Sequence, residues 1–153
     1  MTERPYLLLQ RGLHDLSPNR AWPDGLHLDT FSDAMAREAH ILLETAYASG
    51  GGRVPDFERW WSALSSDTEY APDLCFPVRD RDGALAGFAQ CWTSGFVKDL
   101  AVHPDRQRHG LGSTLLLHIF HVFRARGAQT VALKVEADNF PGIRFYRNLG
   151  MSG

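Results

Sequence analysis

The sequence predicts an α/β fold in which helices cover a mixed sheet, and three observations predict it. Apolar strand-type runs alternate with runs of helical periodicity in the order βααβββαβα, behind an extra N-terminal strand candidate. The stretch from Val97 to Leu116 reads as a strand, a turn and a glycine-rich entry into a long amphipathic helix. The 153 residues at 44% hydrophobic content suffice to bury one core, and no repeat or low-complexity segment interrupts them. A single domain over residues 1–153 is expected.

Each element has its own signal. Tyr6-Leu7-Leu8-Leu9-Gln10 is a short apolar strand candidate, followed by a polar, Pro-containing stretch over 14–25. Leu26, Leu28, Thr30 and Phe31 mark the first strand proper. Ser32 is placed to cap a helix reaching about Ala48, with Ala36, Ala39, Leu42, Leu43 and Ala46 on its apolar side. Gly50-Gly51-Gly52 ends that helix, and residues 56–65 form a second one carrying Phe57, Trp60, Trp61 and Leu64. Strands over 74–79 and 84–93 flank the turn Asp80-Arg81-Asp82-Gly83 as a hairpin, and 96–102 is the next strand. The long helix over 110–126 stops at Gly127, and the β-branched, apolar run 129–136 reads as a buried strand. A short helix closes the chain, with Asn139 at its N-cap and Gly150 at its C-terminal stop.

Charge and cysteine usage exclude several function classes. A net charge of −2 and a pI near 6.4 give no broad drive toward nucleic acid, although Arg106, Arg108 and His109 cluster around the glycine-rich turn. There is no N-terminal apolar h-region and no apolar run of about 18 residues, so a cytoplasmic protein without a membrane partner is expected. Cys75 and Cys91 lack CxxC spacing and sit in apolar runs, which makes them core thiols. The seven His are scattered without an HExxH pattern, so no metal is expected.

The glycine-rich turn carries the chemistry. A helix start leaves backbone N–H groups unpaired and a partial positive charge, and Gly110 and Gly112 would let an anion approach the backbone. A P-loop would need Gly-Lys-Ser/Thr, and a dinucleotide fingerprint would need a third glycine where Leu115 stands. Gln107-x-x-Gly110-x-Gly112 behind Val102-His103-Pro104 instead resembles the acyl-CoA pyrophosphate loop of the GNAT superfamily of N-acetyltransferases. A second GNAT-like signature follows at the right distance: Asn139 entering a helix that carries Tyr146 and ends at Leu149-Gly150-Met151.

This resemblance implies a three-layer fold, with a central mixed twisted sheet, splayed middle strands and helices on both faces. It implies acetyl-CoA as acyl donor, with the backbone of Leu100, Ala101 and Val102 along the pantetheine arm. Gln107, Arg108, His109, Gly110, Leu111, Gly112 and Ser113 would surround the pyrophosphate. Asn139 is fully explained as a helix cap and stands equally as a cofactor contact. The reaction would be direct transfer to a primary amine in a ternary complex, since neither cysteine has a histidine placed for ping-pong chemistry.

An alkylammonium, pKa about 10.4, must lose a proton before it attacks, and the departing thiolate, whose conjugate acid is near ~8.5, must gain one. A backbone N–H near Val102 would hold the carbonyl oxygen. Tyr146 is the candidate acid, set against the plainer role of a packed phenol with its tip at the surface. Many relatives place a Glu or His two and four residues ahead of the position of Leu100; here Lys98 and Phe96 stand there. Asp99 is adjacent, but strand alternation turns it to the face opposite Lys98. Glu136 either reaches the splay or stays solvated, and a water chain is the third choice of base. Tyr47, Phe57, Trp60, Trp61 and Trp92 make the acceptor half aromatic, and rings at helical spacing are more often core.

The sequence departs from the family at its end, where most relatives add one or two strands and this one reads Met151-Ser152-Gly153. The strand candidate at residues 6–10 is expected to fill that edge, from its own chain or from the partner in a homodimer. Two rivals to the transferase reading are an acyl-CoA-binding sensor domain without catalysis and, more remotely, a Rossmann-type nucleotide-binding enzyme. The acceptor's class stays open between small amine, amino acid and protein.

Overall fold

The computed structural model describes residues 5–153, so residues 1–4 of the expected domain lie outside the described residues. Ten elements follow one another: β1 (Tyr6–Gly12), β2 (His27–Leu28), α1 (Ala36–Tyr47), α2 (Phe57–Ser65), β3 (Cys75–Arg79), β4 (Leu85–Trp92), β5 (Phe96–Val102), α3 (Leu111–Ala125), β6 (Thr130–Glu136) and α4 (Phe140–Asn148). The strands form one six-stranded sheet in the order β1-β6-β5-β4-β3-β2. It is antiparallel except at β5–β6, which makes it the expected mixed sheet. No helix of the described residues is long and apolar enough to cross a membrane.

Two apolar clusters hold the layers together. Leu42 and Leu43 of α1 and Trp60 and Leu64 of α2 pack with Phe31 and Phe88. Leu115, Leu116, Ile119, Phe120 and Phe123 of α3 pack with Val78, Val97, Val131 and Leu133, and Ile143 of α4 joins them. Each such side chain removed from water contributes about 1.5–3 kcal/mol, which is what binds the helices to the sheet.

The strand expected over 26–31 shrinks to two residues. Asp29 N–H still donates to Pro77 O at 2.8 Å, but the Asp29 carboxylate then accepts from Thr30 N–H and the chain turns off the sheet. Phe31 drops into the α1–α2 core instead. Ser32 makes no side-chain cap; a 3-10 turn over Asp33–Met35 leads into α1.

The N-terminal strand fills the edge beside β6 from its own chain. All seven residues pair, from Tyr6 opposite Glu136 to Gly12 opposite Thr130, and Leu9 is fully buried. On the outer side, Gln10 and Ser152 exchange two backbone hydrogen bonds of 2.8 and 2.9 Å.

Two irregularities open the middle of the sheet. Strands β5 and β6 pair only at Phe96–Ala132 and Val97–Leu133, so their remaining lengths diverge. Opposite β4, Cys91 pairs with Val97 but Gln90 with Asp99, which leaves Lys98 as the extra residue of a β-bulge. Val97 and Leu100 consequently both pack with the α3 cluster, whereas Asp99 bonds to side chains of α1 and α2. The bulge also corrects the expectation from alternation: Lys98 Nζ lies 3.2 Å from Asp99 Oδ2, not across the sheet from it.

Candidate active site

Two cavities meet where the sheet opens, and Tyr47 and Tyr146 line both. The larger, of about 660 Å³, is a groove between the α1–α2 segment, the end of β5, the start of α3 and α4. Its loop is built by local chemistry. Pro104–Arg106 forms a 3-10 turn capped by His103, whose ring Nδ1 accepts from Asp105 N–H at 3.1 Å. Arg106 is tied to Asp80 at 2.8 Å, and the Gln107 side chain donates to Val102 O at 3.3 Å.

Arg108 and Gly110 then adopt left-handed backbone, with φ of 67° and 85°. For arginine that conformation costs about 1–2 kcal/mol, and such strain persists where the surrounding structure holds it for a purpose. A Cβ placed on Gly110 would meet nothing within 4 Å, so the backbone there is open to the groove. Thr114 secures the first turn of α3 through its hydroxyl, which donates to Gly110 O at 2.9 Å. The N–H groups at this helix start have no partner within the helix, and Arg106 and Arg108 also line the groove. Open glycine, left-handed loop and helix start together fit a pyrophosphate.

Gly112 has a different reason for being glycine. Its Cβ would sit 3.2 Å from the Phe145 ring, so it lets α4 pack onto α3. Leu100, Ala101, Val102, Gln107, Arg108, Gly110, Gly112, Ser113 and Asn139 all line the groove. Two expected contacts do not. The Leu111 side chain is 1% exposed and packs in the core near Gly87, leaving only its backbone for the helix start, and His109 is exposed outside the groove lining. Asn139 caps α4, its Oδ1 accepting from Gly142 N–H at 3.1 Å, and its Nδ2 lies toward Gly51 across the groove.

The second cavity, about 260 Å³, occupies the splay itself, between Phe96–Leu100 of β5 and Leu133–Glu136 of β6. Asp99 lines it and is only 5% exposed. Its carboxylate accepts from Tyr47 Oη at 3.3 Å, from Trp60 Nε1 at 3.3 Å and from Lys98 Nζ at 3.2 Å. Burial, then the charge of Asp99, pushes the Tyr47 phenol well above its ordinary pKa. Burial pushes Tyr146 up to about 12. Both phenols therefore stay protonated at neutral pH in the cavity that Asp99 lines.

Glu136 lines the same cavity, so the two carboxylates weighed as bases stand in one place. Trp60 is core, 1% exposed, and touches the site only through its N–H on Asp99; Trp61 and Trp92 line neither cavity. Cys75 and Cys91 are buried and unpaired by disulfide, and burial pushes Cys75 up to about 12 and Cys91 well above the ordinary thiol range. Among the described residues no group of three or more His, Cys, Asp or Glu is placed to hold a metal. The sequence reading missed Arg53 as a cavity residue and the link from Tyr47 to Asp99, 52 positions apart, which no local spacing encodes.

A model of the acetyltransferase (GNAT) family matches residues 36–151. A mycothiol acetyltransferase from Clavibacter sepedonicus is 44% identical over 131 residues, covering 84% of this chain and 43% of its own length. The chain spans about half the length of most of the curated relatives it matches. Among solved structures, a GCN5-related N-acetyltransferase from Sphaerobacter thermophilus superimposes with a TM-score of 0.81 at 26% identity, covering 97% of this chain and 48% of that one. The ribosomal-protein-S18-alanine N-acetyltransferase from Escherichia coli gives 0.65 at 26% identity, covering 82% and 76%.

Proposed function

The chain belongs to the GNAT family of acetyltransferases, and from that premise we propose that it transfers an acetyl group from acetyl-CoA to a primary amine by direct attack in a ternary complex. The observation that supports this reading best is the junction of the two cavities at Tyr47 and Tyr146: one suits an extended phosphorylated donor, the other a small polar acceptor.

Acetyl-CoA, when bound, supplies an activated acyl group, and the chain's own residues do the rest. The left-handed loop at Arg108 and Gly110, with the start of α3, holds the pyrophosphate. Backbone groups of Leu100, Ala101 and Val102, freed by the splay, orient the arm and offer an N–H to the carbonyl oxygen. Asp99, held by Trp60, Tyr47 and Lys98, orients the ammonium and takes up its proton. Tyr146, kept neutral by burial, gives a proton to the departing sulfur.

Calorimetric titration with acetyl-CoA, followed by transfer assays over a panel of amines, tests the reading. Wild type binds; Gly110→Asp, which sets a carboxylate in the open cradle at the cost of about 1–2 kcal/mol of left-handed strain, loses binding while circular dichroism shows it folded. Tyr146→Phe still binds and turns over on the order of 100-fold more slowly. No binding by wild type would end the donor assignment. Binding without transfer to any amine would favour a non-catalytic acyl-CoA sensor.

A further inference from the structure

Given the transferase reading, on which this inference rests, we propose that the acceptor is a small primary amine that also carries a carboxylate. Asp99 receives the ammonium, and Arg53 with Lys134 receives the carboxylate.

The charges lining the smaller cavity do not balance internally. It holds Asp99 and Glu136 against Lys98, Arg53 and Lys134. Lys98 is committed to Asp99 at 3.2 Å, and Glu136 has an interaction of its own. Arg53 and Lys134 are exposed, and neither has a hydrogen bond or ion pair among the described residues. Two cations without a partner among the described residues thus share one cavity of about 260 Å³ with the Lys98-paired carboxylate of Asp99, a space for a molecule of a few heavy atoms.

The backbone places both cations there. On β6, Leu133 and Val135 turn into the α3 core, so alternation sends Lys134 to the opposite face, the one Asp99 occupies. Arg53 arrives because the α1–α2 segment closes on Tyr47: a Cβ at Gly52 would lie 2.8 Å from that ring. A guanidinium and an ammonium converging on one opening suit a carboxylate, the guanidinium through its two-pronged N–H geometry. An amine without an anion would meet net repulsion from these two groups.

The test compares matched amines, β-alanine and γ-aminobutyrate against their methyl esters and amides, by transfer kinetics and by calorimetry with and without CoA. Wild type prefers the free carboxylates at least tenfold in kcat/KM and binds them calorimetrically. Arg53→Ala/Lys134→Ala raises their KM at least tenfold and brings the preference close to unity, with acetyl-CoA affinity unchanged; Arg53→Lys/Lys134→Arg restores part of it. Esters or amides used as well as the free acids would overturn the proposal. So would a double variant with the same preference, or no calorimetric binding of either amino carboxylate. The calorimetric arm reads the cavity independently of turnover, so a failed acetyl-CoA titration, which would overturn the transferase reading and the acceptor role with it, is distinguishable from a cavity that does not bind amino carboxylates.

Discussion

Asp99 and Tyr146 sit on β5 and α4, and both line the cavity in the splay, one with a carboxyl group and the other with a phenol that burial keeps protonated. Replacing Asp99 by Asn keeps the shape and removes the charge. The expected result is a fall in kcat of about 10²–10⁴-fold with acetyl-CoA binding retained, measured by steady-state kinetics and calorimetry. A second residue-scale prediction concerns stability. The Cys75 thiol is raised from 9.0 to about 12 by burial, and Tyr146 from 10.0 to about 12. Between pH 9 and 12 the unfolded chain releases protons that the folded chain keeps, so stability is intact below pH 9 and declines as pH rises. Urea midpoints at pH 8 and pH 10 should show that decline, and Cys75→Ala should make it shallower. The sequence could name Tyr146 and list Asp99 and Glu136, but not show how Asp99 is held, because its partners Tyr47 and Trp60 come from α1 and α2 and Lys98 reaches it through the bulge.

At the scale of elements, the glycine-rich start of α3 and the bulge in β5 decide the site's geometry. The sequence shows both glycines; only packing shows that they serve different ends. Gly110→Ala should cost about 1–2 kcal/mol through its left-handed backbone and leave α4 in place. Gly112→Ala should cost about 1–3 kcal/mol by pressing on Phe145. Combining it with Phe145→Leu should recover part of that loss, and a double-mutant cycle by chemical denaturation measures the coupling. The bulge at Lys98 was not legible, since Val97-Lys98-Asp99-Leu100 reads as an ordinary strand. It depends on how β4 and β5 come into register over two different cores, a property of the pair rather than of either segment.

For the whole molecule, β1 completes the sheet and ties the two ends of the chain together. Arg11 Nε donates to Leu149 O at 3.2 Å, at the end of α4, and Gln10 bonds Ser152. Leu9→Ala should therefore cost about 2–5 kcal/mol, and deletion of residues 1–12 should leave an unfolded or aggregated chain by circular dichroism and size-exclusion chromatography. A folded, active deletion would mean that β6 tolerates an open edge. The sequence by itself determined the element order, the helix and strand periodicities, the glycine-rich loop and the family resemblance, because these rest on local propensity and on spacing along one strand or helix. Only the tertiary structure decided the two-residue β2, the bulge, the core placement of Leu111, and the convergence of Tyr47, Arg53, Asp99 and Lys134 on one cavity. Those depend on which backbone groups find partners across the sheet and which side chains share a core, and neither is encoded within any one segment.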